Sequence, residues 1–474
     1  MQPPSISLGD LLEQLEVLDV DGEASGVEIT AVAHDSRAVG PGALFCCLPG
    51  GHSDGHDHAP EAVARGAVAV LGQRFAGVGV PQVHVADARR QMGRAAAALW
   101  GHPSRRLQVA GVTGTNGKTT TTWLLRAMLE AAGRPAGVIG TLGGPRTTPE
   151  STELQATLAA LAEAGSSAVA MEVSSQGLAM SRVEGTWFSV AVFTNLSPEH
   201  LNLHGSMEEY FSVKASLFEP ERSAVAVINA DDPHGLLLAE RARVPVRLFS
   251  SADVDEVDIG FLGSTCTWRG RRMHVPFGGA ANLSNALAAA SAAVEMGVDD
   301  EAVVEGLATA PPVPGRYQRV DRGQPFTVVV DYGHTADALE QLLVAARKGT
   351  GPGGRVVAVF GCGGDRDRDK RPVMGRVAAE LADWVVLTDD NPRDEDPGAI
   401  LAQVAAGAEG PAVVDVEPDR RCAIRLALAA ARPGDVVLVA GKGHETTQVV
   451  GGRSFPFDDR EVVGEELAAL GLGA

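Results

Sequence analysis

The stretch "LQVAGVTGTNGKTTTTWLLRAMLEAAG" (residues 107–133) runs from an apolar, strand-like segment through a glycine turn into a segment with helical periodicity. A strand, a glycine-rich turn and a helix start in that order aim backbone N–H groups and a helix N-terminus at one point, the arrangement that cradles phosphate. The reading predicts that Lys118 reaches the β- and γ-phosphates of a nucleotide and that the Thr119 hydroxyl ligates Mg²⁺. The strict G-x-x-x-x-G-K-[ST] pattern is not met, because Val112 stands where the first glycine belongs and Gly111 comes one residue early. On pattern alone, an ordinary helix start carrying G-K-T stays open.

The surrounding chain narrows the choice. Its 474 residues suggest three domains at about 150 residues each. Hydrophobic residues make up 45% and aromatics only 4%, so the cores must be built from Ala, Val and Leu, which favours helices layered on parallel sheet. A net charge of -20 disfavours wrapping a nucleic-acid backbone or lying on an anionic membrane. No stretch approaches the roughly 20 apolar residues of a membrane span, and the start, "MQPPSISLGDLLEQL", lacks the pattern of a secretory signal. The expectation is a cytoplasmic protein with no nucleic-acid or membrane partner. Cys46, Cys47, Cys266, Cys362 and Cys422 show no C-x-x-C spacing, so neither a zinc site nor a disulfide framework is indicated.

Three regions separate by pattern. Residues 1–104 hold short apolar runs among Gly, Asp and His and end in the Ala-rich helix "RRQMGRAAAALW". Residues 105–317 begin at the glycine turn and alternate strand and helix signals. Residues 318–474 carry four strand-like runs, each ending in a polar or glycine-rich loop: "TVVVDYGH", "RVVAVFGCGGDRDRDK", "DWVVLTDDNPR" and "DVVLVAGKGHE". In an open parallel sheet those loops face one crevice. The fold class expected is α/β, with a central P-loop domain and a C-terminal Rossmann-like domain.

Several residues carry chemistry on their own terms. Glu172 ends the apolar run "SSAVAMEV", where a strand-tip carboxylate can hold Mg²⁺, although a helix-capping acid has the same spacing. His200 and His204 lie four apart, yet no third soft ligand accompanies them as zinc would require. Lys214 sits in "EEYFSVKASLFEP", where a lone lysine ordinarily snorkels to solvent. "HDSR" (34–37) and "GGHSDGHDH" (50–58) read as turns. In "LTDDNPRDEDP" (387–397) one arginine, Arg393, stands among Asp389, Asp390, Asp394, Glu395 and Asp396, which as a charge run reads as a solvated loop.

The variant phosphate loop T-G-T-N-G-K-T-T, with "MEVSSQGL", "FTNLSPEHLNLHGSMEEYFSVKASLF", "NLSNALAA", "PVPGR", "VDYGHTADALE", "GCGGDRDRDKRPVMG", "DDNPR" and "GKGHE", resembles the Mur ligase superfamily, and within it the MurE family. That family adds the third residue of the peptidoglycan stem to UDP-MurNAc-L-Ala-D-Glu, and the resemblance covers nearly the whole chain in order. It implies an ATP-dependent amide ligase with three Mur ligase domains, working through an acyl phosphate and acting on small molecules, and a monomer is expected. For ATP it nominates Gly114, Thr115, Asn116, Gly117, Lys118, Thr119, Thr120, Asn282, Arg316, Asp331 and His334. For Mg²⁺ it nominates Thr119, Glu172, His200 and Lys214, the lysine as N6-carboxylysine formed with CO₂. Ser36, Gly51, His52 and Ser53 match uridine-diphosphate loops, and Thr147, Thr148, Ser174 and Arg182 match positions that grip the muramoyl-peptide.

The resemblance also gives Arg393 a task. With Arg366, Asp390, Asn391, Pro392, Gly441 and Glu445 it matches the positions that recognise meso-diaminopimelate, whose distal end carries both a carboxylate and an ammonium. Arginine can hold that carboxylate bidentately, and the acids around it suit a pocket that must hold both charges. Glu199, Asn202, Gln176, Met180, Gly333 and Ala336 depart from the family's usual residues, which is how a divergent paralogue with another acyl acceptor would look. A folylpolyglutamate synthase-like ligase is the neighbouring alternative, and a nucleotide-switched binding protein is the alternative from another class.

Overall fold

The computed structural model describes residues 4–51, 53–199 and 201–472. The glycine turn hangs from a six-stranded, wholly parallel sheet whose order is Val246–Phe249, Ala226–Asn229, Val190–Phe193, Gln108–Thr113, Ala168–Glu172, Ala136–Ile139. Its inner strands are apolar on both sides because helices cover both faces. One face packs Leu124, Leu125, Met128 and the alanines of the helix Ala280–Glu295. The other packs Leu154, Leu158, Phe188, Phe193 and Tyr210. Alanine lets the helix approach the sheet closely, which is how a chain poor in aromatics still fills its core. A three-stranded antiparallel sheet, Val254–Ile259, Ser264–Trp268 and Arg271–Val275, is appended.

In the C-terminal part a second six-stranded sheet runs Gln318–Arg319, Thr327–Asp331, Val436–Ala440, Val356–Phe360, Trp384–Leu387, Val413–Val416, parallel except at the first pair. The last long strand is thus inserted between the first two long ones, a topological switch point that gathers strand-end loops. The four runs picked out in the sequence are these adjacent strands, and their loops touch: Gly441 lies against the Asp390 carboxylate and Gly361 against the Thr388 carbonyl.

The N-terminal part carries a five-stranded sheet in the order Val17–Asp21, Gln82–Val85, Ala67–Gly72, Ala43–Cys46, Ala31–Ala33. Its helix Ala88–Leu99 docks on the central part. Glu184 there receives Arg90 at 3.0 Å and Arg94 at 3.3 Å, and Gly93 meets the Glu184 backbone where any side chain would collide. Among the described residues no helix is long and apolar enough to cross a membrane.

Candidate active site

The phosphate-loop geometry follows from two glycines. Gly114 and Gly117 have positive φ (149° and 89°), and a Cβ on either would fall on the Thr194 hydroxyl or the Asn285 amide. The loop therefore closes tightly onto the start of the helix Lys118–Ala131. Lys118 folds back over it, donating to the Gly114 and Thr115 carbonyls at 2.9 and 2.8 Å. Burial holds its amine below the usual lysine range. Thr115 is tied to the Ser197 carbonyl, the Asn116 amide N–H to Asn195, and Thr120 is buried in the first helical turn.

Glu172, at the tip of its strand and 1% exposed, accepts from the Thr119 hydroxyl at 3.0 Å and from the Thr141 N–H at 2.9 Å. It is bound at the phosphate loop, so the helix-capping alternative does not describe it. Lys214 does not snorkel. It is 1% exposed, donates to the Gly114 carbonyl at 2.9 Å and lies 4.6 Å from the centre of the Tyr210 ring. Burial, and then Lys118 nearby, push its amine well below the ordinary lysine range. His204 is also buried, against Ser175 and Tyr210. His200 lies outside the described residues.

Across the junction, Arg316 reaches the Thr119 hydroxyl at 3.3 Å while its guanidinium stacks 4.1 Å from the Tyr332 ring. Asp331 pins the connecting backbone by accepting from the N–H groups of Tyr317 and Gly333, both at 2.6 Å. Burial raises its pKa above the usual carboxylate range. His334 meets Glu199 at 3.1 Å, and Asn116 donates to Asp337 at 3.0 Å. Asn282 opens its helix with its amide on the Gly278 carbonyl. Residues 115–120, Glu172, Asn282, Arg316, Asp331 and His334 line one cavity of about 580 Å³ between the central and C-terminal sheets.

A second cavity of about 480 Å³ adjoins it. Thr147, Ser174 and Arg182 line it from the central part, Arg366 and Glu445 from the C-terminal part. Thr141, Thr147, Ser174 and Tyr332 border both cavities. Thr148 is buried and sets this shared wall, donating to the Glu172 carbonyl, accepting from the Ser174 N–H and lying 3.1 Å from the Ser174 hydroxyl. Arg182 is paired with Glu150 at 2.8 Å.

The acids around Arg393 turn out to be occupied elsewhere. Glu395 pairs with the fully buried Arg371, which holds its carboxyl down at about 2. Asp396 caps the helix Pro397–Ala405. Asp394 is exposed, and Asp389, half-buried, is pushed up to about 6 by burial. The expectation that this run of acids forms a two-charge pocket is therefore corrected: only Asp390 faces the Asn391, Lys442 and Glu445 group. Arg393 adopts φ 55°, its backbone bridging Val449 and Gly451, with its guanidinium half-buried and donating to the Gly364 carbonyl at 2.6 Å. Burial, and then Arg366 beside it, disfavour its charge. Among the described residues no carboxylate comes within ion-pair distance of Arg393 or Arg366, and Asp390, Glu445 and Asp365 favour the Arg393 charge only from farther away. Pro392 lends its carbonyl to the close packing against Gly364.

Sequence reasoning missed the buried charges beneath this loop. Lys442, wholly buried, donates to Asn391, Glu445 and the Thr447 carbonyl at 3.1, 3.2 and 2.7 Å. Arg420 and Asp459, both wholly buried, pair at 2.7 Å, and Arg420 also holds the Asp389 and Ala440 carbonyls.

In the N-terminal part, Ser36 is buried and donates to Glu61 at 2.8 Å, Gly51 is exposed, and Ser53 lies 3.3 Å from His58. None of the three lines either cavity. His52 lies outside the described residues.

Three family models match in sequence: the Mur ligase family catalytic domain over residues 28–101, the Mur ligase middle domain over 112–293, and the Mur ligase glutamate ligase domain over 315–443. The UDP-N-acetylmuramoyl-L-alanyl-D-glutamate--2,6-diaminopimelate ligase of Streptomyces coelicolor is 48% identical over 97% of this chain and 96% of its own length. The chain belongs to the Mur ligase family. Among solved structures, a ligase of that same name is 33% identical with a TM-score of 0.70, covering 98% of this chain and 99% of its own. A folylpolyglutamate synthase from Mycobacterium tuberculosis, at 22% identity and a TM-score of 0.60, covers 74% of this chain and shares the Mur ligase fold.

Proposed function

We propose that this chain uses ATP to join meso-diaminopimelate to the D-Glu side-chain carboxylate of UDP-MurNAc-L-Ala-D-Glu. The observation that carries this reading is the shared wall of Thr141, Thr147, Ser174 and Tyr332 between the phosphate-loop cavity and the arginine-bearing cavity. A carboxylate seated there faces a phosphoryl donor on one side and an amine on the other. The carboxylate oxygen takes the γ-phosphoryl group, ADP leaves, and the amine displaces phosphate from the acyl carbon. Such chemistry is accomplished chiefly by alignment and charge neutralisation.

Each group of residues has a part in this reading. Lys118 and the N–H groups of 114–120 neutralise and hold the phosphates, with Asn282, Arg316, Asp331 and His334 seating the nucleotide. Thr119 and Glu172 offer oxygen ligands side by side at the phosphate loop, a donor set that suits Mg²⁺, with His200 and modified Lys214 completing it. Bound there, Mg²⁺ would offset the charge of the transferring phosphoryl group. Lys214 fits the modification because its buried amine is shifted toward the uncharged form: the neutral nitrogen bonds to the CO₂ carbon, one proton leaves, and the neutral amine becomes an anionic carbamate carboxylate. Ser36, Gly51, His52 and Ser53 take the uridine diphosphate, and Thr147, Thr148, Ser174 and Arg182 the peptide. Arg366 and Arg393 take the distal carboxylate, with Asp390, Asn391, Pro392, Gly441 and Glu445 completing the amino-acid site.

Working units at 1–104, 105–317 and 318–474, acting as a cytoplasmic monomer, go with this reading. The test is a substrate matrix of amino acids and nucleotide-linked acceptors, scored by phosphate release and product mass. The ligase reading expects phosphate only when acceptor and amine are both present. Release of phosphate with neither would favour a nucleotide switch.

A further inference from the structure

Of the residues lining the second cavity, Arg146, Arg182 and Arg366 are cationic and Glu445 alone is acidic. Among the described residues, an ammonium group entering that cavity therefore has one carboxylate to meet. The Glu445 side chain is 30% exposed, and the groups that hold it lie beneath it. Lys442, wholly buried, comes three residues earlier in the same turn, where the Glu445 N–H donates to the Lys442 carbonyl at 2.9 Å. On either side of the lysine, Gly441 and Gly443 take positive φ (113° and 52°), and a Cβ on Gly443 would collide with the Gly315 carbonyl and the Tyr332 nitrogen. The backbone that carries Lys442 is thus fixed against the shared wall of the two cavities.

Each N–H of the Lys442 ammonium has an acceptor: Asn391 Oδ1 at 3.1 Å, Glu445 Oε2 at 3.2 Å and the Thr447 carbonyl at 2.7 Å. Asn391 Oδ1 also accepts from the Val449 N–H at 2.9 Å. Both groups on that oxygen are donors only, so the amide has one orientation and its nitrogen is turned to the acids. Nδ2 donates to Asp390 Oδ1 at 3.0 Å and to Glu445 Oε2 at 2.7 Å. Glu445 Oε2 is thus held twice, while Oε1 takes no hydrogen bond from any described residue. Lys442 also lies 4.0 Å from Asp390, so one buried cation faces two carboxylates that a single amide draws together. Without it those like charges would repel.

We propose that Lys442 is a positioning residue for the distal ammonium of the amino-acid substrate, fixing Glu445 by one oxygen and leaving its other oxygen for that ammonium. The role rests on the amide-ligase reading above. Lys442 does not touch the substrate; it acts through Glu445. The distal carboxylate goes to Arg366 and Arg393, so the two charges of one zwitterionic end are sorted by separate groups. A substrate without the distal ammonium gains nothing from Lys442.

2-Aminopimelate separates this role from a structural one, because it keeps the reacting amine and both carboxylates and lacks the distal ammonium. Wild type, Lys442→Met, Glu445→Gln and the double variant are assayed with ATP and the muramoyl dipeptide. The readouts are KM for diaminopimelate and the inhibition constant of 2-aminopimelate against it. Lys442→Met should raise that KM by about tenfold or more, while the 2-aminopimelate constant and KM for ATP stay within about threefold of wild type. Adding Lys442→Met to Glu445→Gln should raise KM by no more than about twofold further, because the lysine acts through the acid. That comparison holds even where the single lysine variant fails to fold, since the double variant removes both members of the Lys442–Glu445 pair. Equal losses for the two amino acids, an unchanged KM in Lys442→Met, or additive losses in the double variant would overturn the proposal. A wild type that forms no amide with either amino acid would instead overturn the ligase reading on which it stands.

Discussion

Lys118 and Lys214, ninety-six residues apart, donate to the same carbonyl oxygen, that of Gly114, each at 2.9 Å. The two amines are held on one oxygen by the phosphate loop itself, and Lys118 adds to the burial that disfavours charge on Lys214. An anion arriving at the loop relieves that crowding, which ties nucleotide binding to the state of both lysines.

For Lys118 the consequence is loss of transition-state neutralisation. Lys118→Ala should lower kcat for ligation by at least about 100-fold. Steady-state phosphate release reads this directly, and wild-type turnover would remove Lys118 from the phosphate site.

For Lys214 the outcome is chemical rescue. Lys214→Ala should be nearly inactive and should recover part of its activity with added formate or acetate, which supply the missing carboxylate oxygens. A companion measurement is the intact mass of the wild type, where a labile increment equal to one CO₂ is expected. Undiminished activity in the variant would mean that the buried amine serves packing alone.

Beneath the amino-acid site, Arg420 and Asp459 are both wholly buried, and removing one partner leaves a charge without compensation. Asp459→Ala should destabilise the C-terminal part by roughly 3–5 kcal/mol, read as a lowered denaturant midpoint. Because Arg420 also holds the Asp389 and Ala440 carbonyls, KM for the amino acid should rise while nucleotide affinity changes little.

What could be read from the sequence, and what could not, divides by range. The strand, glycine turn and helix at 107–133 are local, and the positive φ of Gly114 and Gly117 is a property of the residues themselves. The four strand-end loops were legible because apolar runs ending in glycine and polar residues announce themselves one at a time. The burial of Lys214 was not, since it depends on a carbonyl 100 residues away. The acids beside Arg393 misled for the same reason: the partner of Glu395 is Arg371, on the helix Lys370–Leu381, and a charge run does not disclose which of its members are already paired. Asp396 was readable, as an acid directly before a proline at a helix start.

Arg393 itself, with Arg366 beside it, forms no direct ion pair with a carboxylate of the described residues, its guanidinium donating instead to the Gly364 carbonyl. Arg393→Ala should lose at least roughly 2 kcal/mol in transition-state binding of meso-diaminopimelate, measured as kcat/KM. The same variant should handle L-lysine no worse than wild type does, since lysine has no distal carboxylate to lose.

The most direct test is a competition. The purified enzyme is given ATP, Mg²⁺, UDP-MurNAc-L-Ala-D-Glu and equal concentrations of meso-diaminopimelate and L-lysine, and the products are resolved by mass. The account predicts the diaminopimelate tripeptide in excess by about 100-fold or more, with one phosphate released per amide formed. Equal incorporation of lysine, or phosphate released without any amide, would contradict it.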